Sequence, residues 1–188
     1  GTYIPPQNFG MVEADLYRCA QPSPLNFPFL EKLGLRKVIF LAPDEPLGAF
    51  RTWLQEQNIE CVHLCETIGR FHSPWSTLSE EVILEGLQQL LDPANYPLAV
   101  MCNMGRHRTG TMIGCLRKLQ GWNLTAILEE YRRHAGAKTR VLHEQFIELF
   151  DTDLVPVPAR PTGWLHLSAA AEGAATLPAP ARARAPDS

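Results

Sequence analysis

Short apolar runs alternate with longer amphipathic segments along this chain. Residues 37–42, KVIFLA, form a nearly continuous apolar run, which is typical of a strand buried on both faces. Residues 97–101 form a second run of this kind. Between them, residues 79–91 carry apolar side chains at helical spacing and predict an amphipathic helix. Weaker patterns predict strands at 11–12, 16–19 and 60–64, and helices at 26–33, 47–57, 108–120, 124–135 and 141–151.

The alternation of strands and helices indicates the fold class. It predicts an α/β fold with a central, mostly parallel sheet that is flanked by helices on both faces. After residue 155 the composition changes, because prolines recur and a Pro/Ala/Arg-rich stretch follows. We therefore predict one folded domain over residues 1–155 and a linker or disordered tail over residues 156–188.

The turn between the second apolar run and the next helix carries the clearest chemical signal. Cys102 follows the strand, and Arg108, Thr109 and Gly110 open the helix. Successive N–H groups in such a turn can form an anion-binding nest, which the positive end of the helix reinforces. Arg108 offers a planar fork for two phosphate oxygens, and the positive field favours the nucleophilic thiolate of Cys102. A cysteine that only packs is the alternative, but this spacing favours a cysteine-phosphatase loop.

A family resemblance extends well beyond the loop. The sequence CNMGRHRTGTMIGCLRKLQGWNL, residues 102–124, resembles the plant and fungal atypical dual-specificity phosphatases of the protein-tyrosine-phosphatase superfamily. Residues 5–46 and 129–151 are similar to the same family, so the resemblance covers about residues 4–155. Within the family, the chain most resembles the fungal oxidant-induced cell-cycle-arrest phosphatases. The resemblance implies a dual-specificity-phosphatase-like fold and a cysteine phosphatase, in a family of which some members hydrolyse inositol pyrophosphates.

The loop chemistry predicts a two-step reaction without metal or cofactor. The thiolate of Cys102 attacks phosphorus, and water then hydrolyses the phosphocysteine. Arg108 and the loop N–H groups hold the phosphate oxygens. By resemblance to the superfamily, Thr109 stabilises the departing thiolate. The predicted phosphate-binding residues are Asn103, Met104, Gly105, Arg106, His107 and Arg108.

Two positions depart from the family pattern. Met101 stands where the superfamily usually has a histidine that helps to activate the nucleophile. Met104 stands where relatives that act on inositol pyrophosphates often carry a cation. We therefore expect a less activated nucleophile and weaker binding of highly charged substrates.

The charge distribution supports a phosphate ligand. The formal net charge of −3 gives no global basic field that would indicate nucleic-acid or membrane binding. Residues 102–140 are nevertheless strongly basic, and their only acids are Glu129 and Glu130. By resemblance, this region contributes to a wide basic pocket for a polyphosphorylated ligand. The predicted pocket residues are Arg132, Arg133, Lys138 and Arg140.

The sequence contains no obvious general acid. Tyrosine phosphatases usually carry an Asp some tens of residues before the cysteine, but residues 56–91 contain none. The candidates are Glu66, His72 and Asp44. Glu45, which follows Asp44 in the sequence, is a further candidate. A phosphate leaving group is much more acidic than a phenol of pKa about 10, so it needs less protonation. This difference favours cleavage of phosphoanhydrides over phosphotyrosine.

The cysteines bear on compartment and on metal binding. Their odd number and irregular spacing argue against a disulfide framework, and a nucleophilic thiolate needs a reducing compartment. We therefore expect a cytoplasmic protein, with the nucleus as the alternative. Cys61, His63 and Cys65 alternate along a predicted strand and could suggest zinc, but no fourth ligand is evident, so core packing is favoured.

Three functions follow from these patterns. The favoured one is a cysteine phosphatase that cleaves inositol pyrophosphates. The second is a phosphatase for phosphotyrosine or other phosphoproteins, and the third is a phosphate-binding pseudophosphatase that acts as a scaffold. The expected partner is accordingly a phosphorylated small molecule or a phosphoprotein substrate, with no nucleic acid and no membrane.

Overall fold

A five-stranded sheet forms the centre of the protein. The computed structural model describes residues 1–67 and 78–165. The strands are β1 (Gly10–Glu13), β2 (Leu16–Ala20), β3 (Lys37–Phe40), β4 (Glu60–His63) and β5 (Leu98–Cys102). They lie in the order β1-β2-β5-β3-β4. β1 is antiparallel to β2 and all other neighbours are parallel, which confirms the predicted mostly parallel α/β sheet.

β5 is the central strand, because it pairs with β2 on one side and with β3 on the other. Every residue of these three strands is buried, as the apolar runs predict. In the register between β2 and β5, Arg18 lies beside Val100 and Ala20 beside Cys102. β5 therefore ends in the middle of the carboxyl edge of the sheet, where open α/β sheets bind ligands.

The helices match the predicted ones to within two residues at each end, with one addition. They are α1 (Phe27–Glu31), α2 (Gly48–Glu56), α3 (Leu64–Thr67), α4 (Glu80–Leu91), α5 (His107–Leu119), α6 (Leu124–Ala135) and α7 (Val141–Leu149). The additional helix is α3. It begins directly after β4, so Leu64 and Cys65 belong to a helical turn and not to the predicted strand.

Each face of the sheet carries its own hydrophobic core. The core on one face includes Leu87 of α4, Met112 of α5, Ile127 of α6 and Ile147 of α7. The core on the other face includes residues of α1 and α2, among them Leu30, Phe50 and Trp53. The prediction of helices on both faces is therefore confirmed. In the described part of the chain, no helix has the length and apolar character needed to cross a membrane.

Local side-chain chemistry sets two of the helix ends near the site. The Oδ1 atom of Asn123 accepts the N–H of Ala126 at 2.8 Å and caps α6. Gly136, with φ +59°, ends the same helix. The chain can therefore turn back sharply from α6 towards α7, and this turn carries Lys138.

Residues 156–165, which belong to the predicted linker, pack on the folded domain. The N–H of Thr162 donates to the carbonyl of Leu91 at 3.1 Å, Leu165 belongs to the core, and Trp164 contacts the ring of Tyr96 edge to face. The prolines end regular secondary structure here, but the apolar residues between and after them still bury surface. The rest of the predicted tail, residues 166–188, lies outside the described residues.

Candidate active site

A cavity of about 230 Å³ lies at the end of β5. Its wall contains the end of β5 and the loop after it, the first turn of α5, the segment after β3, and residues just before and within the first turn of α7. The lining residues are Pro43, Asp44, Cys102, Asn103, Met104, His107, Arg108, Arg140 and His143. The structure thus brings Cys102 and Arg108 into one cavity, together with several of the predicted phosphate-binding residues.

The backbone of the loop from 103 to 106 offers unpaired donors. Gly105 has φ +65°, and a Cβ there would lie 2.6 Å from the backbone nitrogen of Ala20, so only glycine fits against β2. Among the hydrogen bonds of the described residues, none uses a backbone N–H of residues 103–108. Free N–H groups at the N-terminus of a 13-residue helix form a site for an anion.

The side chains of the motif differ in exposure. Cys102 is a free thiol that is 6% exposed, and Arg108 shares its cavity. Thr109 is fully buried, and its hydroxyl has no hydrogen-bond partner among the described residues. A buried hydroxyl without a partner is costly, so Thr109 is a candidate donor to the sulfur of Cys102.

Two histidines connect the loop to the segments that follow α6. The Nε2 atom of His107 lies 2.6 Å from the carbonyl of Lys138 and donates to it. His143, which the sequence analysis missed, lies 5.2 Å from the ring of His107 and contacts the hydroxyl of Thr111. Since that hydroxyl donates to the carbonyl of His107, it accepts from Nδ1 of His143. Burial lowers the pKa of His107, and burial together with neighbouring positive charges lowers the pKa of His143 to about 4.

The predicted pocket cations separate into two groups. Arg140 lines the cavity of Cys102, and Lys138 lines a neighbouring cavity of about 280 Å³ together with Arg106. The lining of this second cavity contains no acidic residue. By contrast, Arg132 is paired with a carboxylate of α7, and neither Arg132 nor Arg133 lines either cavity.

The candidate general acids do not all lie at the cavity of Cys102. Asp44 lines the cavity of Cys102, so its carboxylate lies on the same side of the molecule as the thiol. Glu45, its neighbour, forms an ion pair with Arg51 at 2.8 Å. His72 and the side chain of Glu66 lie outside the described residues. Asp44 is thus the predicted acid that the described structure places in the cavity.

Two of the three residues considered as zinc ligands contact backbone carbonyls. His63 lies 2.6 Å from the carbonyl of Ala42, and the thiol of Cys65 donates to the carbonyl of Leu41 at 2.8 Å. Cys65 lies on α3, so it does not continue the strand face of Cys61 and His63. Within residues 1–67 and 78–165, no group of three His, Cys, Asp or Glu side chains is arranged to hold a metal ion.

Comparisons with known proteins agree with this geometry. A model described as "Tyrosine phosphatase family" matches residues 3–166. The protein named tyrosine-protein phosphatase DG1060 of Dictyostelium discoideum is 59% identical over 166 residues, which cover 88% of this chain and 98% of that protein. The protein named tyrosine-protein phosphatase OCA1 of Mycosarcoma maydis is 59% identical over 155 residues, which cover 81% of this chain and 96% of that protein.

The fold is also similar to a solved structure. The core catalytic domain of the PP-IP phosphatase SIW14 from S. cerevisiae, crystallised with citrate, has a TM-score of 0.75 and 39% sequence identity. The match covers 81% of this chain and 90% of that chain. Because a family model matches most of the chain and two relatives reach 59% identity over most of both lengths, the protein belongs to the tyrosine phosphatase family and is a cysteine-based phosphatase.

Proposed function

We propose that this protein cleaves the phosphoanhydride bonds of inositol pyrophosphates through a phosphocysteine at Cys102. One observation carries the proposal. The loop presents Cys102, Arg108 and unpaired N–H groups to one cavity, and a second cavity with two cations and no acid lies against the same loop. The first cavity holds the phosphate that is transferred, and the second accommodates further phosphates of the same ligand.

The first chemical step makes one bond and breaks another. The Cys102 thiolate forms an S–P bond as the P–O bond to the leaving phosphate breaks. Arg108 and the loop N–H groups hold the three equatorial oxygens, whose charge is spread in the transition state. In the second step, water attacks phosphorus and forms a P–O bond as the S–P bond breaks, so that the Cys102 thiolate leaves and inorganic phosphate is formed. Thr109 supplies its hydroxyl to the departing sulfur.

The surrounding residues favour a leaving group that needs little protonation. Asp44 is the one predicted general acid that the described residues place in the cavity. The leaving phosphate group has a last pKa of about 6, whereas a phenol has a pKa of about 10. A site with modest acid assistance is therefore far better suited to a phosphoanhydride. The similarity to a PP-IP phosphatase points to the same substrate class.

A second candidate function is supported by Asp44 itself. If this carboxyl group delivers a proton to a phenolate, the same cavity hydrolyses phosphotyrosine, in keeping with the names of the relatives. A scaffold without activity is the least favoured function, because both Cys102 and Arg108 are present and share a cavity.

Phosphate release from two substrate classes tests the proposal. Purified protein is incubated with an inositol pyrophosphate and with a phosphotyrosine peptide, each as wild type and as Asp44→Asn. We expect faster turnover of the inositol pyrophosphate, and a loss of less than about tenfold in Asp44→Asn on that substrate, because the leaving phosphate needs little protonation.

The opposite pattern would establish the alternative. Faster cleavage of the peptide, with a selective loss of that activity in Asp44→Asn, identifies an acid-assisted tyrosine phosphatase. Arg51→Gln serves as the control, because it disturbs the ion pair of the neighbouring Glu45 without touching the cavity.

A further inference from the structure

Two side chains from outside the loop hold one of its carbonyl groups. Arg18 lies on β2, is 2% exposed, and donates from Nη2 to the carbonyl of Gly105 at 3.2 Å. Asn8, which precedes β1, donates from Nδ2 to the same oxygen at 3.0 Å. Asn8 also makes two hydrogen bonds with His134 at the end of α6, both at 3.0 Å. Its Nδ2 atom donates to the carbonyl of His134, and its Oδ1 atom accepts from Nδ1 of His134. Segments far apart in the sequence therefore meet at this one carbonyl.

The direction of this carbonyl fixes the direction of the next N–H. The peptide after Gly105 is trans, and in a planar trans peptide the C=O and the following N–H point in opposite directions. Since the carbonyl points to Arg18 and Asn8, the N–H of Arg106 points to the opposite side of the loop. That N–H has no acceptor among the described residues, as expected for a donor that is reserved for a ligand.

The charge of Arg18 is incompletely compensated by the protein. Its Nε and Nη1 atoms are buried and have no hydrogen-bond partner in the described part of the chain. The nearby carboxylate of Glu130 is hydrogen-bonded to Arg117 instead. Burial lowers the pKa of Arg18 to about 10, and the charges of Glu130 and Cys102 oppose this effect, so the guanidinium stays protonated at neutral pH.

The position of Arg18 relates this charge to the nucleophile. Arg18 lies beside Val100 in the sheet register, two residues before Cys102 on the neighbouring strand. Alternate residues of a strand share a face, so Arg18 lies on the face of the sheet that α5 covers. An anion held at the start of α5, or the thiolate itself, is therefore the natural counter-charge of this buried cation.

We propose that Arg18 and Asn8 are positioning residues, which hold the Gly105 carbonyl against β2 and so keep the loop N–H groups directed at the phosphate. The buried guanidinium also stabilises the oxyanion from beneath the loop. This inference rests on the proposed phosphate-binding loop and is independent of the identity of the substrate.

Glycine substitutions at two asparagines provide the test at Asn8. Asn8 and Asn58 both have left-handed backbones, with φ +59° and +55°, so glycine removes either side chain without adding backbone strain. Asn58 is exposed and precedes β4, at the opposite edge of the sheet from the loop. We expect Asn8→Gly to lower kcat on p-nitrophenyl phosphate by about tenfold or more, with a smaller change in KM, because the loop binds the transition state more strongly than the substrate.

Binding of tungstate, a tetrahedral oxyanion, gives a readout that does not depend on turnover. We expect Asn8→Gly to weaken tungstate binding by about tenfold, while Asn58→Gly leaves it unchanged and both variants melt at similar temperatures. Arg18→Lys should recover much of the tungstate affinity that Arg18→Met loses, because lysine restores the charge and one donor.

The outcomes separate the positioning role from the phosphate site itself. If the wild-type protein binds no tungstate, the loop is not an oxyanion site and the proposed function fails with it. If the wild type binds tungstate and Asn8→Gly equals Asn58→Gly in kcat and tungstate affinity, only the positioning role is overturned. Because Asn8→Gly leaves Arg18 unchanged and both probes carry a single oxyanion, a misfolded Arg18→Met leaves the test intact.

Discussion

The two ends of α5 each meet a buried arginine, and the two arginines have very different surroundings. At the carboxyl end, Arg117 donates to the carboxylates of Glu13 at 2.6 Å and Glu130 at 3.1 Å, and to a backbone carbonyl and an amide oxygen. Near the amino end, Arg18 donates only to Gly105, and two of its nitrogens have no partner among the described residues. Protein groups accept the hydrogen bonds of the arginine at the carboxyl end, whereas donors near the amino end have no acceptor among the described residues.

This difference separates stabilisation from binding. Buried polar groups without partners are rare in proteins because each one costs stability. Near the amino end of α5, two nitrogens of Arg18 and the hydroxyl of Thr109 are buried without a partner among the described residues, and the N–H groups of residues 103–108 next to them are also without an acceptor there. Such a concentration is expected where a ligand supplies the acceptors. The arginine at the other end has its acceptors built into the fold and serves stability.

The largest effect is expected at the amino end, from Cys102→Ser. Phosphate release should fall by about 10⁴-fold or more, because serine at neutral pH is not ionised and attacks poorly. Tungstate affinity and melting temperature should stay near those of the wild type, since the loop N–H groups and Arg108 remain. Turnover close to the wild-type rate would show that Cys102 is not the nucleophile.

The next largest effect is expected at the carboxyl end, from Arg117→Met. Removing Arg117 leaves the buried carboxylate of Glu130 without its hydrogen-bonded partner, so the free energy of unfolding should fall by about 3–5 kcal/mol. Activity per folded molecule should stay the same, because Arg117 lines neither cavity. Urea unfolding and kinetics at low temperature measure the two quantities. Arg36→Met, which removes only an exposed arginine–carbonyl bond, is the control.

If Arg117→Met strongly lowers the activity per folded molecule as well as the free energy of unfolding, the assignment of stability to one end of α5 and of binding to the other end is wrong. A change in melting temperature no larger than that of Arg36→Met would show that the buried ion pair contributes little.

Arg108→Lys should reduce kcat/KM by about 10²-fold or more, or about 2.7 kcal/mol, because an ammonium group cannot form the two-pronged hydrogen bond to phosphate. The same substitution at Arg132 is the matched control, since Arg132 is exposed, paired with Glu144 and outside both cavities. Equal kinetics for the two variants would contradict the assignment of Arg108 to the phosphate.

The smallest effect concerns pH. His143 is buried beside the loop and its pKa is lowered to about 4, whereas an unfolded histidine has a pKa of about 6.5. The unfolded chain therefore binds more protons between these values, so stability is full above pH 6.5 and is lost towards pH 4, by about 2.5 kcal/mol between pH 7 and 4.5. His143→Asn should flatten the decrease in unfolding free energy between pH 7 and 4.5. An unchanged slope would mean that His143 does not titrate as its burial implies.

The sequence predicts the parts of the site that are local in the chain. The strand, the loop and the helix that carry Cys102 and Arg108 lie within 22 consecutive residues, from Leu98 to Leu119, and their spacing is a motif. The apolar runs likewise predict the buried strands, since burial on both faces leaves no polar alternation. Turn residues mark the helix ends, as at Asn123.

The remaining parts of the site depend on contacts between distant segments. Asn8 reaches Gly105 across 97 positions, and His143 reaches Thr111 across 32, and no local pattern records such contacts. An arginine within a strand usually indicates a solvent-exposed position, but Arg18 is buried. The packing of Trp164 and Leu165 is not predicted for a similar reason, because prolines reveal the loss of regular structure but not the contacts of the residues that follow them.

The most direct test of the central claim is to trap the phosphorylated enzyme. The wild type and Cys102→Ser are mixed with an inositol pyrophosphate labelled on its terminal phosphate, quenched in acid within milliseconds, and mapped by peptide mass spectrometry. We predict a labelled phosphate on the peptide that contains Cys102 in the wild type and none there in Cys102→Ser. Rapid phosphate release without any label on Cys102, or with the label on another residue, would contradict the proposed mechanism.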